Sequence, residues 1–193
     1  GTSNANIRDN KLIALSTGGA AYYGVEIYCA TATIASNEVR GYRHGNYGGI
    51  YCPGGGPYTI NHNTLVKNII GVRVGANTTV KNNIIAGGAR PGSYYDDSIG
   101  IYQAGGSVNS SSNQIYNCET NYYGTVGGGT QDATTAPRFV NADADDYRIC
   151  NDSPCKGTAD DSGNRGAYGA IGSGSGVTGE SYVRPDGDDA IPL

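Results

Sequence analysis

One pattern of apolar and polar positions recurs along the chain: an apolar residue, two small or polar ones, Asn, one more residue, then another apolar residue. It reads Ile7-Arg8-Asp9-Asn10-Lys11-Leu12, Ile34-Ala35-Ser36-Asn37-Glu38-Val39, Ile60-Asn61-His62-Asn63-Thr64-Leu65 and Val80-Lys81-Asn82-Asn83-Ile84-Ile85. A fifth copy runs from Val108 through Asn113 to Ile115, with two extra residues before its Asn. The Asn residues lie 27, 26, 20 and 30 positions apart. A fixed motif at variable spacing means one recurring corner, with loops of changing length elsewhere. Asn suits such a corner because it accepts the left-handed backbone of a sharp bend. Its amide also reaches the Asn one strand spacing away, about 4.8 Å. The expectation is a ladder of Asn10, Asn37, Asn63, Asn83 and Asn113, with the flanking apolar residues pointing inward from two adjoining sheets.

A Gly-led strand supplies a third side: Gly24-Val25-Glu26-Ile27, Gly49-Ile50-Tyr51-Cys52, Gly71-Val72-Arg73-Val74 and Gly100-Ile101-Tyr102-Gln103. Alternation puts Val25, Ile50, Val72 and Ile101 inside and Glu26, Tyr51, Arg73 and Tyr102 outside. A second register, pairing Ile27-Tyr28-Cys29 with Ile50-Tyr51-Cys52, stays open, and in both Cys29 and Cys52 face inward as small core residues. A sandwich would need hairpins and returning strands rather than one corner met in one direction. No useful helical period exists. The pattern therefore predicts a parallel β-solenoid.

Composition narrows the architecture. Glycine makes up 32 of 193 residues, against one Phe, no Trp and no Met. A wide core of large side chains is excluded, and a narrow interior of single Ile, Val and Leu residues is favoured. The net charge of −4, with no Lys/Arg run, argues against nucleic acid. No apolar stretch is long enough to span a membrane. The chain starts at Gly1 rather than Met, which reads as a removed leader or a fragment.

Beyond the last copy of the motif, the strings Ala136-Pro137-Arg138-Phe139-Val140-Asn141, Asp146-Tyr147-Arg148-Ile149, Ser153-Pro154-Cys155 and Arg165-Gly166-Ala167-Tyr168-Gly169 follow in order. With the Asn ladder, they resemble the right-handed parallel β-helix (pectate-lyase-like) superfold, and in particular the closing segment of secreted bacterial proteins of that type. The resemblance covers roughly residues 5–170. It implies an all-β, right-handed parallel β-helix of about five coils, and it carries over no catalytic residue. Residues 1–130 are read as coils and 131–170 as a C-terminal capping segment, with Phe139 as its plug. Residues 171–193 are read as a polar tail that docks on a partner subunit.

Several side chains are candidates for chemistry. The outward row Glu26, Tyr51, Arg73 and Tyr102 is the best catalytic candidate, as a polysaccharide lyase or glycoside hydrolase face, flanked by Asp96 and Asp97. Against it, no pair of carboxylates recurs on consecutive coils. Tyr22, Tyr23, Tyr42, Tyr47, Tyr94, Tyr95, Tyr122 and Tyr123 fall in loops entering the Gly-led strand. All but Tyr42 are taken as an interface or glycan strip. Cys150 and Cys155 bracket a short turn and are expected to form a disulfide, which favours an oxidising compartment. His44 and His62 show no metal or triad spacing, and no cofactor is expected. Asn141 to Asp146 offers a weak calcium motif that lacks the Gly and distal Glu of a calcium loop. The resulting expectation is a secreted or cell-surface structural protein, self-assembling into a homo-oligomer or filament through the tail. The alternative is a carbohydrate-binding or carbohydrate-cleaving domain with a polysaccharide partner.

Overall fold

The computed structural model describes residues 3–14, 23–43, 48–87 and 98–171. Its strands come in threes: β1 (Asn4–Arg8), β2 (Lys11–Ile13) and β3 (Val25–Glu26), then β4 (Thr31–Ala35), β5 (Glu38–Arg40) and β6 (Gly48–Cys52). The third set is β7 (Tyr58–Asn61), β8 (Thr64–Asn68) and β9 (Ile70–Val74). Two more follow: β10 (Thr78–Lys81), β11 (Ile84–Gly87) and β12 (Ile99–Gln103), then β13 (Val108–Ser111), β14 (Gln114–Tyr116) and β15 (Thr120–Tyr123). Every third strand pairs in parallel. The first sheet is β1-β4-β7-β10-β13, the second β2-β5-β8-β11-β14, and the third β3-β6-β9-β12-β15. Four turns thus separate the first and last strands of each sheet. The protein is a parallel β-helix, all-β among the described residues, with no helix long and apolar enough to cross a membrane.

The interior is built of columns one residue wide. In the first sheet Ile7, Ile34, Ile60 and Val80 stack in register, and in the second Leu12, Val39, Leu65, Ile85 and Ile115. Val25, Ile50, Val72 and Ile101 form the third column, so the first of the two registers read from the sequence is the one adopted. Each Ile or Leu fully buried here contributes about 1.5–3 kcal/mol of transfer free energy. Cys52 is buried in this core, and Cys29 packs against it. The glycine leading each third-sheet strand has a packing cause. A Cβ at Gly71 would stand 2.4 Å from Ile85 Cγ2, and one at Gly100 would stand 2.6 Å from Ile115 Cγ2.

The Asn ladder is present, with one difference in its backbone. The left-handed residue is the one before each ladder Asn: Asp9 (φ 57°), Ser36 (56°), His62 (51°), Asn82 (57°) and Ser112 (54°). That residue bends the chain, and the bend turns the following Asn side chain into the corner. Each Asn then donates both its backbone N–H and its Nδ2–H to Oδ1 of the next, as Asn37 does to Asn63 at 3.0 Å for both bonds. The fifth copy carries no insertion. Val108 pairs with Thr78 and Ser110 with Val80, so Ser110 occupies an interior position. A hydroxyl is tolerated there because it donates to Asp132 Oδ2 at 2.5 Å.

Residues 129–135 lie against the last coil through bridges Ser111 to Thr130 and Gln114 to Ala133. The segment after them folds along the outer face of the second sheet. Its hairpin, β16 (Phe139–Asn141) and β17 (Asp146–Ile149), packs Tyr147 on Val66 and Ala86, while Ile149 and Cys155 pack on Ile84. Phe139 is therefore not a plug over the coil end. It sits edge-on to Tyr147, 5.2 Å between ring centroids, on the flank of the sheet. Buried Arg165 pins the segment, donating to Asn113 O at 3.2 Å, Gln114 Oε1 at 3.1 Å and Gln131 O at 2.7 Å.

Candidate functional site

The third sheet presents a continuous outward row. The register aligns Glu26, Tyr51, Arg73, Tyr102 and Tyr123 on five successive strands. Because parallel strands in register repeat at about 4.8 Å, like positions become contacts. The Arg73 guanidinium lies between two rings, 5.0 Å from the centroid of Tyr51 and 5.1 Å from that of Tyr102. Tyr123 meets Tyr102 edge-on at 4.9 Å. Tyr23, just before β3, stacks on Tyr51 at 4.5 Å with an interplanar angle of 29°. Arg73 Nη1 donates to the Tyr23 hydroxyl at 3.1 Å. Next to the row, the Tyr28 hydroxyl donates to Glu26 Oε1 at 2.8 Å. Burial, with smaller opposing effects from Arg73, raises the Tyr23 phenol above its ordinary value, and the bond to Glu26 raises that of Tyr28. Both phenols are therefore protonated at neutral pH. Tyr28 is 75% exposed and Tyr123 53%, so the row has open aromatic surface at both ends.

The two sequence-based candidates thus merge. The residues read as catalytic, Glu26, Tyr51, Arg73 and Tyr102, form the aromatic row together with Tyr23 and Tyr123. In register Tyr51 stands between Glu26 and Arg73, so the two charged groups lie two strands apart. Tyr122 leaves the strip. It is the inward residue of β15, in register with Ile101, and its hydroxyl donates to Asp132 Oδ2 at 2.8 Å. Tyr42 likewise packs against the core. Tyr22, Tyr47, Tyr94 and Tyr95 lie outside the described residues, as do Asp96, Asp97 and His44.

The remaining candidates serve other ends. His62 Nδ1 is 2.9 Å from Asn164 O, and its Nε2 is 2.9 Å from Asp161 Oδ2, so it ties the C-terminal segment to the corner. In the calcium motif, Asp145 pairs with Arg40 and Lys67, and Asp146 pairs with Arg148. Those carboxylates face cations and do not converge as a metal-ligand set. Among the described residues no two cysteines are bonded, so the expected Cys150–Cys155 bridge is not formed here. Cys155 is buried against the second sheet, and burial pushes its thiol up to about 11.

Sequence reading missed two residues. Tyr28 lies two positions after Glu26, and strand alternation alone would have placed it beside the row. Asp132 ends the ladder. Its Oδ1 accepts Asn113 N–H at 2.7 Å and Nδ2–H at 3.1 Å, and Gln131 before it is left-handed at φ 63°, as at every earlier corner. The string Thr130-Gln131-Asp132-Ala133 repeats the corner with Asp for Asn, which hides it from a search for Asn. Neither protein-family models nor curated proteins yield a match to this chain.

Proposed function

We propose that this β-helix is an extracellular carbohydrate-binding domain that holds a glycan on the tyrosine row of its third sheet. The observation that carries the reading is the continuous stack of Tyr23, Tyr51, Arg73, Tyr102 and Tyr123 on the outward side of one sheet. Tyr rings combine an apolar face for the C–H surface of a sugar with a hydroxyl for its polar edge. Because strands hold the rings and Arg73 packs between two of them, little ordering remains to be done on binding. Binding fits better than hydrolysis, since the described row holds one carboxylate, Glu26, where acid–base hydrolysis of a glycosidic bond uses two. The tail read as reaching a partner subunit lies, from residue 172 on, outside the described residues.

Affinity electrophoresis of the whole chain through gels containing different soluble polysaccharides tests the reading. Retardation by at least one polysaccharide is expected, with loss in the double variant Tyr51→Ala/Tyr102→Ala and an unchanged far-UV circular dichroism spectrum. Unretarded migration through every gel refutes glycan binding. If sedimentation velocity then shows concentration-dependent oligomers that the double variant lacks, the row is a protein–protein interface instead.

A further inference from the structure

We infer that the row selects a neutral polysaccharide chain lying along the solenoid axis, an inference that rests on the glycan-binding reading. Direction follows from the shape of the face. The aromatic row runs across the strands, one side chain per coil, and five strands at about 4.8 Å spacing make it about 19 Å long. That spacing is close to the length of one sugar ring, so a chain parallel to the axis sets successive rings over successive coils. On one side the row is bordered by Pro53, Gly75 and Ala104, two residues after Tyr51, Arg73 and Tyr102. These residues are short and uncharged, so along this border no charged side chain stands beside the rings.

Charge decides between neutral and acidic ligands. An acidic polysaccharide repeats its negative charge along its length and needs a matching series of cations. The described row has one cation, Arg73, and one anion, Glu26, for a net charge of zero, on a chain whose formal charge is −4. Both faces of the Arg73 guanidinium lie against Tyr51 and Tyr102, and one of its nitrogens donates to Tyr23. Its charge therefore lies between two aromatic rings as a cation–π sandwich. The exposed carboxylate of Glu26 at the first coil repels a polyanion along the same track.

Isothermal titration of the whole chain with soluble mixed-linkage β-glucan and arabinoxylan as neutral chains, and with alginate as the acidic one, tests this. The neutral chains are expected to bind with a Kd that changes less than about twofold between about 50 and about 500 mM NaCl, because no ion pair is screened. Tyr51→Ala and Tyr102→Ala are each expected to weaken that binding about 3–10-fold, the loss of one ring contact. Tighter binding of alginate, abolished by salt, overturns the neutral assignment and leaves the glycan-binding reading standing. Binding of none of the three chains overturns the neutral assignment too. Failure of the glycan-binding reading is marked separately, by unretarded migration through every polysaccharide gel.

Discussion

Replacing Asn63 by Leu removes one interior rung of the ladder, and the structure sets the size of the effect. Asn63 is fully buried, and its Oδ1 accepts both the backbone N–H and the Nδ2–H of Asn37 at 3.0 Å. Its own Nδ2 lies 2.9 Å from Ile34 O, 3.0 Å from Asn61 O and 3.0 Å from Asn83 Oδ1. Leucine leaves the Asn37 backbone N–H buried without an acceptor, at about 1–3 kcal/mol, and each further bond lost costs about 0.5–1.5 kcal/mol. With four further bonds lost the sum is about 3–9 kcal/mol, and the apolar burial that Leu itself gains brings the expected total to the low end, about 3–5 kcal/mol, a large part of the 5–15 kcal/mol typical of a folded domain. Asn10→Leu is the control. Asn10 is exposed, its backbone N–H to Asn37 Oδ1 survives, and water replaces what its amide loses, so the cost is about 1 kcal/mol or less. Urea unfolding followed by far-UV circular dichroism measures both. In thermal melts Asn63→Leu should fall about 6–20 °C. A cost for Asn63→Leu no larger than for Asn10→Leu would show that stacking of the apolar columns, not the ladder, holds the corner.

Other outcomes follow from titratable groups. Bonds from Asn82 and Lys81 hold Asp160 below the ordinary value of 3.8, and at Asp145 bonds from Arg40 and Tyr147 outweigh burial. A lowered carboxylate contributes stability that is present above its unfolded value and lost as pH falls through the folded one. Amides of residues 156–166 should therefore keep hydrogen-exchange protection at pH 6 and lose it below about pH 4 before the ladder amides do. Equal protection of this segment at both pH values would refute the anchoring. Burial pushes Cys52 and Cys118 up to about 12 and Cys155 to about 11. Iodoacetamide at about pH 8 should therefore leave these three unmodified in the folded protein, and stability should fall as pH rises from 9 toward those values. Labelling of Cys52 without unfolding would contradict its place in the core. Peptide mapping without reductant should recover Cys150 and Cys155 as thiols, and a linked peptide pair would contradict the unbridged turn.

The repeat was enough to determine the architecture, because in a solenoid each coil contacts its neighbours through the same few positions. Ile60-Asn61-His62-Asn63-Thr64-Leu65 states locally that two strands meet at an Asn corner, and three more copies show the corner stacks. The inward and outward sides of the third sheet were legible for the same reason: a period of two leaves no other assignment for Val72 and Arg73. What lay beyond the repeat needed the tertiary structure. Which residue before or after Asn63 takes the left-handed bend depends on backbone closure, and His, Ser, Asp and Asn all fill that place. Asp132 ends the ladder because a terminal rung need only accept, a condition visible once Asn113 is seen donating to it. Tyr122 and Tyr123 are adjacent and chemically alike in sequence, yet strand register sends one into the core and the other onto the outward row. The segment from 136 onward carries its own apolar residues, Phe139, Tyr147 and Ile149. No local pattern says whether they cover a coil end or a sheet flank. The apolar outer face of the second sheet, at Val66, Ile84 and Ala86, decides it, because burying both surfaces together removes more apolar area from water than either does alone.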